Sequence, residues 1–251
     1  MKNHLSLIKQ IVSSAKSEYS SSISEREKQK HQQSLNKNGF VYINNLNQTF
    51  DWIKYVQQLT NTRLMPQDNL ELIYDLKAIP HNTLSDGKSQ NALRPHTEAS
   101  YLHSPPKYLA LWCWQTSACG GGHTTLANVN SFLNHLTIDE QQRLMKPYIF
   151  TNKDGSKKIS APIVQFEKHY QLSFRFSYNI LMFQNPSPNI DLKTTVADKF
   201  LQDICDRALE FFDDYHIKIR LEKHSLLIVD NRTMLHSRTA YQDPNRFLQR
   251  I

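Results

Sequence analysis

The residue types able to do chemistry gather at two places in this chain. Arg94-Pro95-His96-Thr97-Glu98 sets an imidazole and a carboxylate two residues apart, and Leu235-His236-Ser237-Arg238 supplies another imidazole far downstream. On a strand, residues i and i+2 point to the same face. His96 and Glu98 are therefore expected to bind one metal ion together, with a folded-back His236 completing one face of its coordination sphere. Two histidines and one carboxylate with open positions opposite describe a non-haem Fe(II) site of the oxygen-activating kind. His-x-Glu alone is a weak signal: a chain with 11 His shows such pairs by chance, and their ordinary reading is a polar strand surface.

The surroundings add to it. Tyr101-Leu102-His103-Ser104-Pro105-Pro106 reads as a loop, and Lys107 to Trp114 as an apolar strand. Gly120-Gly121-Gly122-His123-Thr124-Thr125 follows. Ser225 to Val229 is a buried-strand pattern leading into the turn Asp230-Asn231-Arg232, then His236, then Asp243-Pro244-Asn245-Arg246-Phe247-Leu248-Gln249-Arg250. This order resembles the Fe(II)/2-oxoglutarate dioxygenases of the taurine dioxygenase and clavaminate synthase-like group over roughly residues 36–251. In that group a His-x-Asp/Glu precedes Pro-Pro, Gly-Gly-x-Thr, Asp-Asn-Arg-x-x-x-His and Arg-x-x-x-Arg. Glu98 in place of Asp is similar to the clavaminate synthase-like branch, many of whose members act on amino acids.

The resemblance implies Fe(II), 2-oxoglutarate and O2 as cofactors, His96, Glu98 and His236 as catalytic metal ligands, and a double-stranded β-helix (jelly-roll) with the metal at its open end. It implies decarboxylation of 2-oxoglutarate coupled to attack on an unactivated C–H bond, giving hydroxylation, desaturation or cyclisation. Glu98 fills the position a halide needs, which disfavours halogenation. Arg246 aligns with the first arginine of the closing pair, and a guanidinium binds the distal carboxylate of 2-oxoglutarate bidentately. Thr124 is the matching hydroxyl donor. Arg250, on the same strand face four residues on, is expected to bind an acidic group of the prime substrate, with Asp75 or Asp86 meeting the substrate's ammonium; a salt bridge is its other reading, and the 2-oxoglutarate role passes to it if the spacing before Arg246 is not absorbed. Arg175, between Phe174 and Phe176, is expected to line the pocket or to form a structural ion pair. His123 is read as lying outside the ligand set, and Asp230 and Arg232 as pinning the turn before His236. Arg246 follows His236 by an interval shorter than is usual in the group, and Asp243-Pro244-Asn245 offers a tight turn to absorb the difference.

Two other readings stand beside this one. A jelly-roll hydrolase or isomerase would use the same three ligands with zinc and an activated water, but would give Arg246 and the Gly-Gly-x-Thr segment no task. A non-catalytic jelly-roll binding a small acid or a partner protein would not need an intact ligand set. The expected prime substrate is a small acid, a free amino acid or a derivative of one.

Composition bounds the rest. The chain has 251 residues, 39% hydrophobic and 21% charged, ordinary for a globular domain. The net charge of +7 is scattered, with no basic run interleaved with aromatics, so no nucleic-acid partner is expected. Three cysteines, Cys113, Cys119 and Cys205, have no metal-type spacing; their odd number argues against a disulfide framework and for a reducing, cytoplasmic setting. No apolar run is long enough to span a membrane, and no secretory signal or membrane partner is expected. Homo-oligomerisation is left open.

The elements that must position these groups read as mainly β with flanking helices. Residues 1–36 form a polar N-terminal extension with a short helical stripe at Leu5, Leu7, Ile8, Ile11 and Val12, and 37–251 the jelly-roll domain. Strands are expected at 39–43, 70–78, 107–115, 123–128, 163–166, 170–174, 217–221, 225–230 and 246–251. Helices are expected at 49–60, in short pieces over 129–145, and at 194–215 with Val196, Phe200, Ile204, Ala208, Leu209 and Phe212 buried. The polar loop 79–92 runs into His96 and is expected to act as a lid.

Overall fold

The computed structural model describes residues 22–66, 71–79, 86–152, 154–167, 171–184 and 196–251. The stripe at Leu5–Val12 and most of the front of the 79–92 loop lie outside them.

The first described element is a helix, α1 (Glu25–Asn38), with a capping box in which Ser24 and Glu27 satisfy each other's backbone N–H. The expected break at residue 36 falls inside it, and its Leu35 is buried with the core. After β1 (Phe40–Ile43), Asp51 caps α2 (Trp52–Thr60). Next come β2 (Tyr74–Lys77), β3 (Tyr108–Gln115) and β4 (Thr124–Asn128). The short helices α3 (Val129–Leu133) and α4 (Ile138–Leu144) lead to two hairpins: β5 (Pro147–Thr151) with β6 (Lys158–Pro162), and β7 (Val164–Phe166) with β8 (Leu172–Phe174). Helices α5 (Tyr178–Phe183) and α6 (Lys199–Tyr215) precede β9 (Ile217–Ile219), β10 (Leu226–Asp230), β11 (Met234–Arg238) and β12 (Phe247–Arg250).

Two antiparallel sheets make the scaffold, a five-stranded one in the order β1-β10-β3-β12-β2 and a three-stranded one in the order β11-β4-β9. Alternation along β3 explains how they are joined. Leu109, Leu111 and Cys113 pack with Leu126, Ile219 and Met234 of the smaller sheet, whereas Ala110 and Trp112 pack on the other face with α1 and α2 residues such as Leu35 and Val56. In β10, Leu227 and Val229 likewise face the smaller sheet while Leu226 and Ile228 face the helices. Strands buried on both faces read as continuous apolar runs, and for that reason the two are plain in the sequence. A third cluster joins the inner face of α6 (Leu201, Ile204, Cys205, Ala208, Phe211 and Phe212) to the hairpins and α5. The chain is mainly β with flanking helices. Among the described residues no helix is long and apolar enough to cross a membrane.

Several boundaries differ from expectation. Asp198 caps α6 by accepting from the Leu201 N–H, so the helix starts at Lys199 rather than 194, and Val196, expected on the buried face, is exposed. The β5–β6 hairpin, α5 and the strand carrying His236 were not foreseen. His96 and Glu98 do not share a strand. His96 makes single bridges to Ser177 and to His236, and Glu98 opens a turn in which Ala99 takes a φ of 52°.

Candidate metal and cosubstrate site

In β11, His236 pairs with Leu126 of β4, and Arg238 pairs with Thr124. Opposed residues of an antiparallel ladder point to the same face. Leu126 and Met234 lie in the core between the sheets, so His236 and Thr124 point into that space too. From the facing sheet, Leu248 of β12 points inward, flanked by Arg246 and Arg250. The open end of the space is a cavity of about 1100 Å³ whose lining includes His96, Glu98, Thr124, His236, Arg246 and Arg250.

One ligand atom from each of His96, Glu98 and His236 falls within 4.8 Å of the other two. The imidazole rings are 4.2 Å apart between centroids, and His236 Nε2 is 3.8 Å from Glu98 Oε2. His96 Nδ1 lies 2.8 Å from the Arg94 carbonyl, which can only accept, so Nδ1 carries the proton and Nε2 keeps its lone pair. Burial, reinforced by the neighbouring His236 ring, pushes His96 down to about 4, so the ring is neutral at neutral pH, as a metal ligand must be. Burial would raise the Glu98 carboxyl, but the Arg250 guanidinium at 2.7 Å and the His236 ring outweigh it and hold Glu98 well below the usual carboxylate range. A compact set of two imidazoles and one ionised carboxylate suits a divalent iron.

What holds Glu98 without a strand is Asn231, which the sequence reading passed over between Asp230 and Arg232. It is 1% exposed; its Oδ1 accepts from the Glu98 N–H at 2.6 Å, and its Nδ2 donates to the carbonyls of Glu98 and Pro106. The Asp-Asn-Arg and Pro-Pro motifs are thus two ends of one clamp on the turn that carries Glu98. Asp230 and Arg232 do pin their own turn, through the Arg232 N–H to Asp230 and an Arg232–Glu167 ion pair. Asn231→Ala leaves these groups unpaired, and a loss of about 2–3 kcal/mol in denaturant unfolding is expected together with weaker iron binding. Unchanged iron affinity would remove Asn231 from this role.

The anion side of the site is also built. Arg246 is 3% exposed, and its NH1 is buried with no hydrogen-bond partner among the described residues. Buried cations are costly unless paired, and this one lines the cavity, as does Thr124, itself 4% exposed. The segment before Arg246 is a tight turn. Asp243 accepts from the N–H groups of Asn245 and Ala118, tying the turn to the segment ahead of the glycines. Gly122 explains the glycine motif. Its φ is +75°, and a Cβ there would sit 2.7 Å from Arg246 Nε, while one on Gly121 would run into the Ala240 carbonyl. The bare backbone is the cradle of the guanidinium. Gly122→Ala is expected to lower affinity for 2-oxoglutarate and to cost about 1 kcal/mol or more of stability, since alanine resists positive φ; calorimetric titration and thermal unfolding check the two effects.

Other expected residues fall elsewhere. Arg175 does not line this cavity: its guanidinium is held by the carbonyls of Ser100, Leu102 and His103 and borders a smaller cavity, so it braces the loop after Glu98 from behind. Asp75 accepts from the Gln249 amide, and neither it nor Asp86 lines the main cavity; among the described residues Glu98 and Asp154 are its acidic lining. Arg250 does line it, but with its guanidinium on Glu98. His123 stands apart from the ligand set, its N–H on Thr239. Cys113 and Cys205 are buried as expected, and Cys119 is exposed.

A mainly β scaffold with a His/Glu/His cluster and a buried arginine at one cavity defines a metal-dependent oxygenase architecture. Residues 8–251 match the taurine catabolism dioxygenase TauD, TfdA family, and the chain belongs to that family. No curated protein matches it in sequence. Among solved structures it is similar to an asparagine oxygenase in complex with Fe(II), 2S,3S-3-hydroxyasparagine and succinate, at 18% identity and a TM-score of 0.69, covering 90% of this chain and 77% of that one. It is similar to the non-heme iron oxygenase OrfP in complex with Fe and alpha-ketoglutaric acid, at 15% identity and a TM-score of 0.66, covering 91% and 79%. PvcB from Pseudomonas aeruginosa has 19% identity and a TM-score of 0.62, covering 90% and 80%. At these identities the likeness is one of fold.

Proposed function

We propose that this protein is a Fe(II)- and 2-oxoglutarate-dependent oxygenase of a small acid, a free amino acid or a derivative of one. The observation that carries the reading is the pairing, in one cavity, of a three-residue cluster able to hold a metal with a buried guanidinium that has no counterion among the described residues. His96, Glu98 and His236 hold the iron, Arg246 and Thr124 take the distal carboxylate of 2-oxoglutarate, and the scaffold is a double-stranded β-helix, a reading its two facing sheets support. The bound metal and cosubstrate supply the oxidising power, with O2 consumed and 2-oxoglutarate converted to succinate and CO2. The chain's own residues hold the ligands neutral or ionised as the metal requires and enclose the reacting end away from bulk water. A zinc hydrolase would leave Arg246 without a task.

The family and the ligands held by its structural neighbours support the substrate class: hydroxyasparagine in one, hydroxyarginine in an OrfP complex. Arg250 lines the cavity and pairs with Glu98, which supports a role in meeting the acidic group of the prime substrate. With Asp75 turned to Gln249, the ammonium is left to Asp154 among the lining carboxylates. The two buried thiols support a reducing, cytoplasmic setting. The test is a screen of succinate formation against amino acids, other small acids and carrier-bound aminoacyl groups. Stimulation by free amino acids or small acids is expected; stimulation only by carrier-bound or polymeric substrates would refute the small-acid reading.

A further inference from the structure

Beside the cosubstrate arginine is a residue the metal site does not use. Tyr241 is 4% exposed, and its hydroxyl is buried with no well-formed hydrogen bond among the described residues, though the Arg246 guanidinium lies near. The Arg246 guanidinium carbon lies 4.9 Å from the centre of its ring, and the Arg238 guanidinium carbon lies 5.1 Å from the same centre. One aromatic ring therefore serves two buried cations. The Gly122 backbone packs close against both side chains, since a Cβ there would sit 2.7 Å from Arg246 Nε and 3.4 Å from the Tyr241 Cβ.

Arg238 is committed elsewhere as well. It is 6% exposed and donates to the carbonyls of Gly87, Ser89 and Asn91, at 3.4, 2.8 and 2.6 Å. The backbone runs the same way: the Tyr241 N–H donates to the Gln90 carbonyl, the Leu93 N–H to the Arg238 carbonyl, and the Gln90 amide to the Gln242 carbonyl. Segment 238–242 is thus stitched to loop 87–93, which contributes Gly87 and Leu93 to the cavity lining and leads through Arg94, also in the lining, to His96.

We propose that Tyr241 is a positioning residue that holds Arg246 toward the cavity and, through Arg238, links the filling of the cosubstrate site to the order of loop 87–93. The inference rests on the reading of Arg246 as the 2-oxoglutarate anchor. Two cations on one ring repel each other while Arg246 lacks an anion. A carboxylate on Arg246 neutralises one of them, tightens the Arg246–Tyr241–Arg238 stack, and so steadies the carbonyls that Arg238 holds. Because coupling is reciprocal, loosening the loop side must weaken cosubstrate binding by the same factor.

The test is hydrogen exchange of amides 87–93 in the Fe(II) protein under anaerobic conditions, with saturating 2-oxoglutarate or with 2-oxobutyrate. The latter offers the metal the same oxo-acid end but has no distal carboxylate. In the wild type, 2-oxoglutarate should slow exchange across 87–93 several-fold and 2-oxobutyrate should not. In Tyr241→Leu, saturating 2-oxoglutarate should no longer slow it, while Tyr241→Phe, which keeps the ring, should behave as wild type. Equal protection by both acids in the wild type, or full protection in a folded Tyr241→Leu, would overturn the linkage. The wild-type comparison decides the matter alone if Tyr241→Leu does not fold. A wild type that binds no 2-oxoglutarate at all would instead strike the functional reading.

Discussion

Glu98→Ala is expected to take turnover to background. The substitution removes the only carboxylate of the three-ligand cluster, and two imidazoles alone make a poor site for a hard-leaning divalent iron. Iron affinity should fall by more than the about 10- to 100-fold that the loss of an outer hydrogen-bonding partner costs a metal site. The change also removes the carboxylate paired with Arg250. The variant should therefore lose stability as well, and its fold must be checked by circular dichroism before the metal measurement is read. Full activity in Glu98→Ala would sink the ligand assignment, whatever the fate of His96 and His236.

Arg246→Ala should leave iron binding intact and strike the cosubstrate. A charge-assisted bidentate pair in a buried site is worth about 2–4 kcal/mol, equivalent to an affinity loss of about 30- to 1000-fold. The KM for 2-oxoglutarate should rise by that order. The buried, unpartnered NH1 means that the wild-type guanidinium already bears a burial cost that the ligand relieves, so removing it should not destabilise the free protein strongly. Arg250→Ala is the control for register. Its expected phenotype lies in the prime substrate and in Glu98, and if it alone raised the KM for 2-oxoglutarate, the roles of the two arginines would be exchanged.

The parts legible in the sequence were those with strong local physics. β3 and β10 announce themselves because both their faces are buried, and α6 because its apolar stripe spans the helix. That His96, Glu98, His236 and Arg246 come to one cavity was legible from residue type and order. Their support was harder to see. Same-face strand geometry suggested that His96 and Glu98 converge, yet the convergence comes from a bridge to His236 and from Asn231 gripping a turn. A polar residue that acts by hydrogen bonds to a distant backbone carries no periodic signal. Arg175 illustrates the same blindness in reverse. Its aromatic neighbours in sequence suggested a pocket wall, but its partners are carbonyls more than 70 positions away. Arg238, quoted beside His236 without a role, turns out to hold the loop leading into the site.

The most direct test of the central claim is an anaerobic titration of the protein with Fe(II) and then 2-oxoglutarate, followed by visible absorption. A weak charge-transfer band that saturates at one iron and one 2-oxoglutarate per chain, and that is absent in Glu98→Ala, is the expected result. No band in the wild type at saturating iron and 2-oxoglutarate would contradict the account and return the zinc hydrolase and the non-catalytic binder to contention.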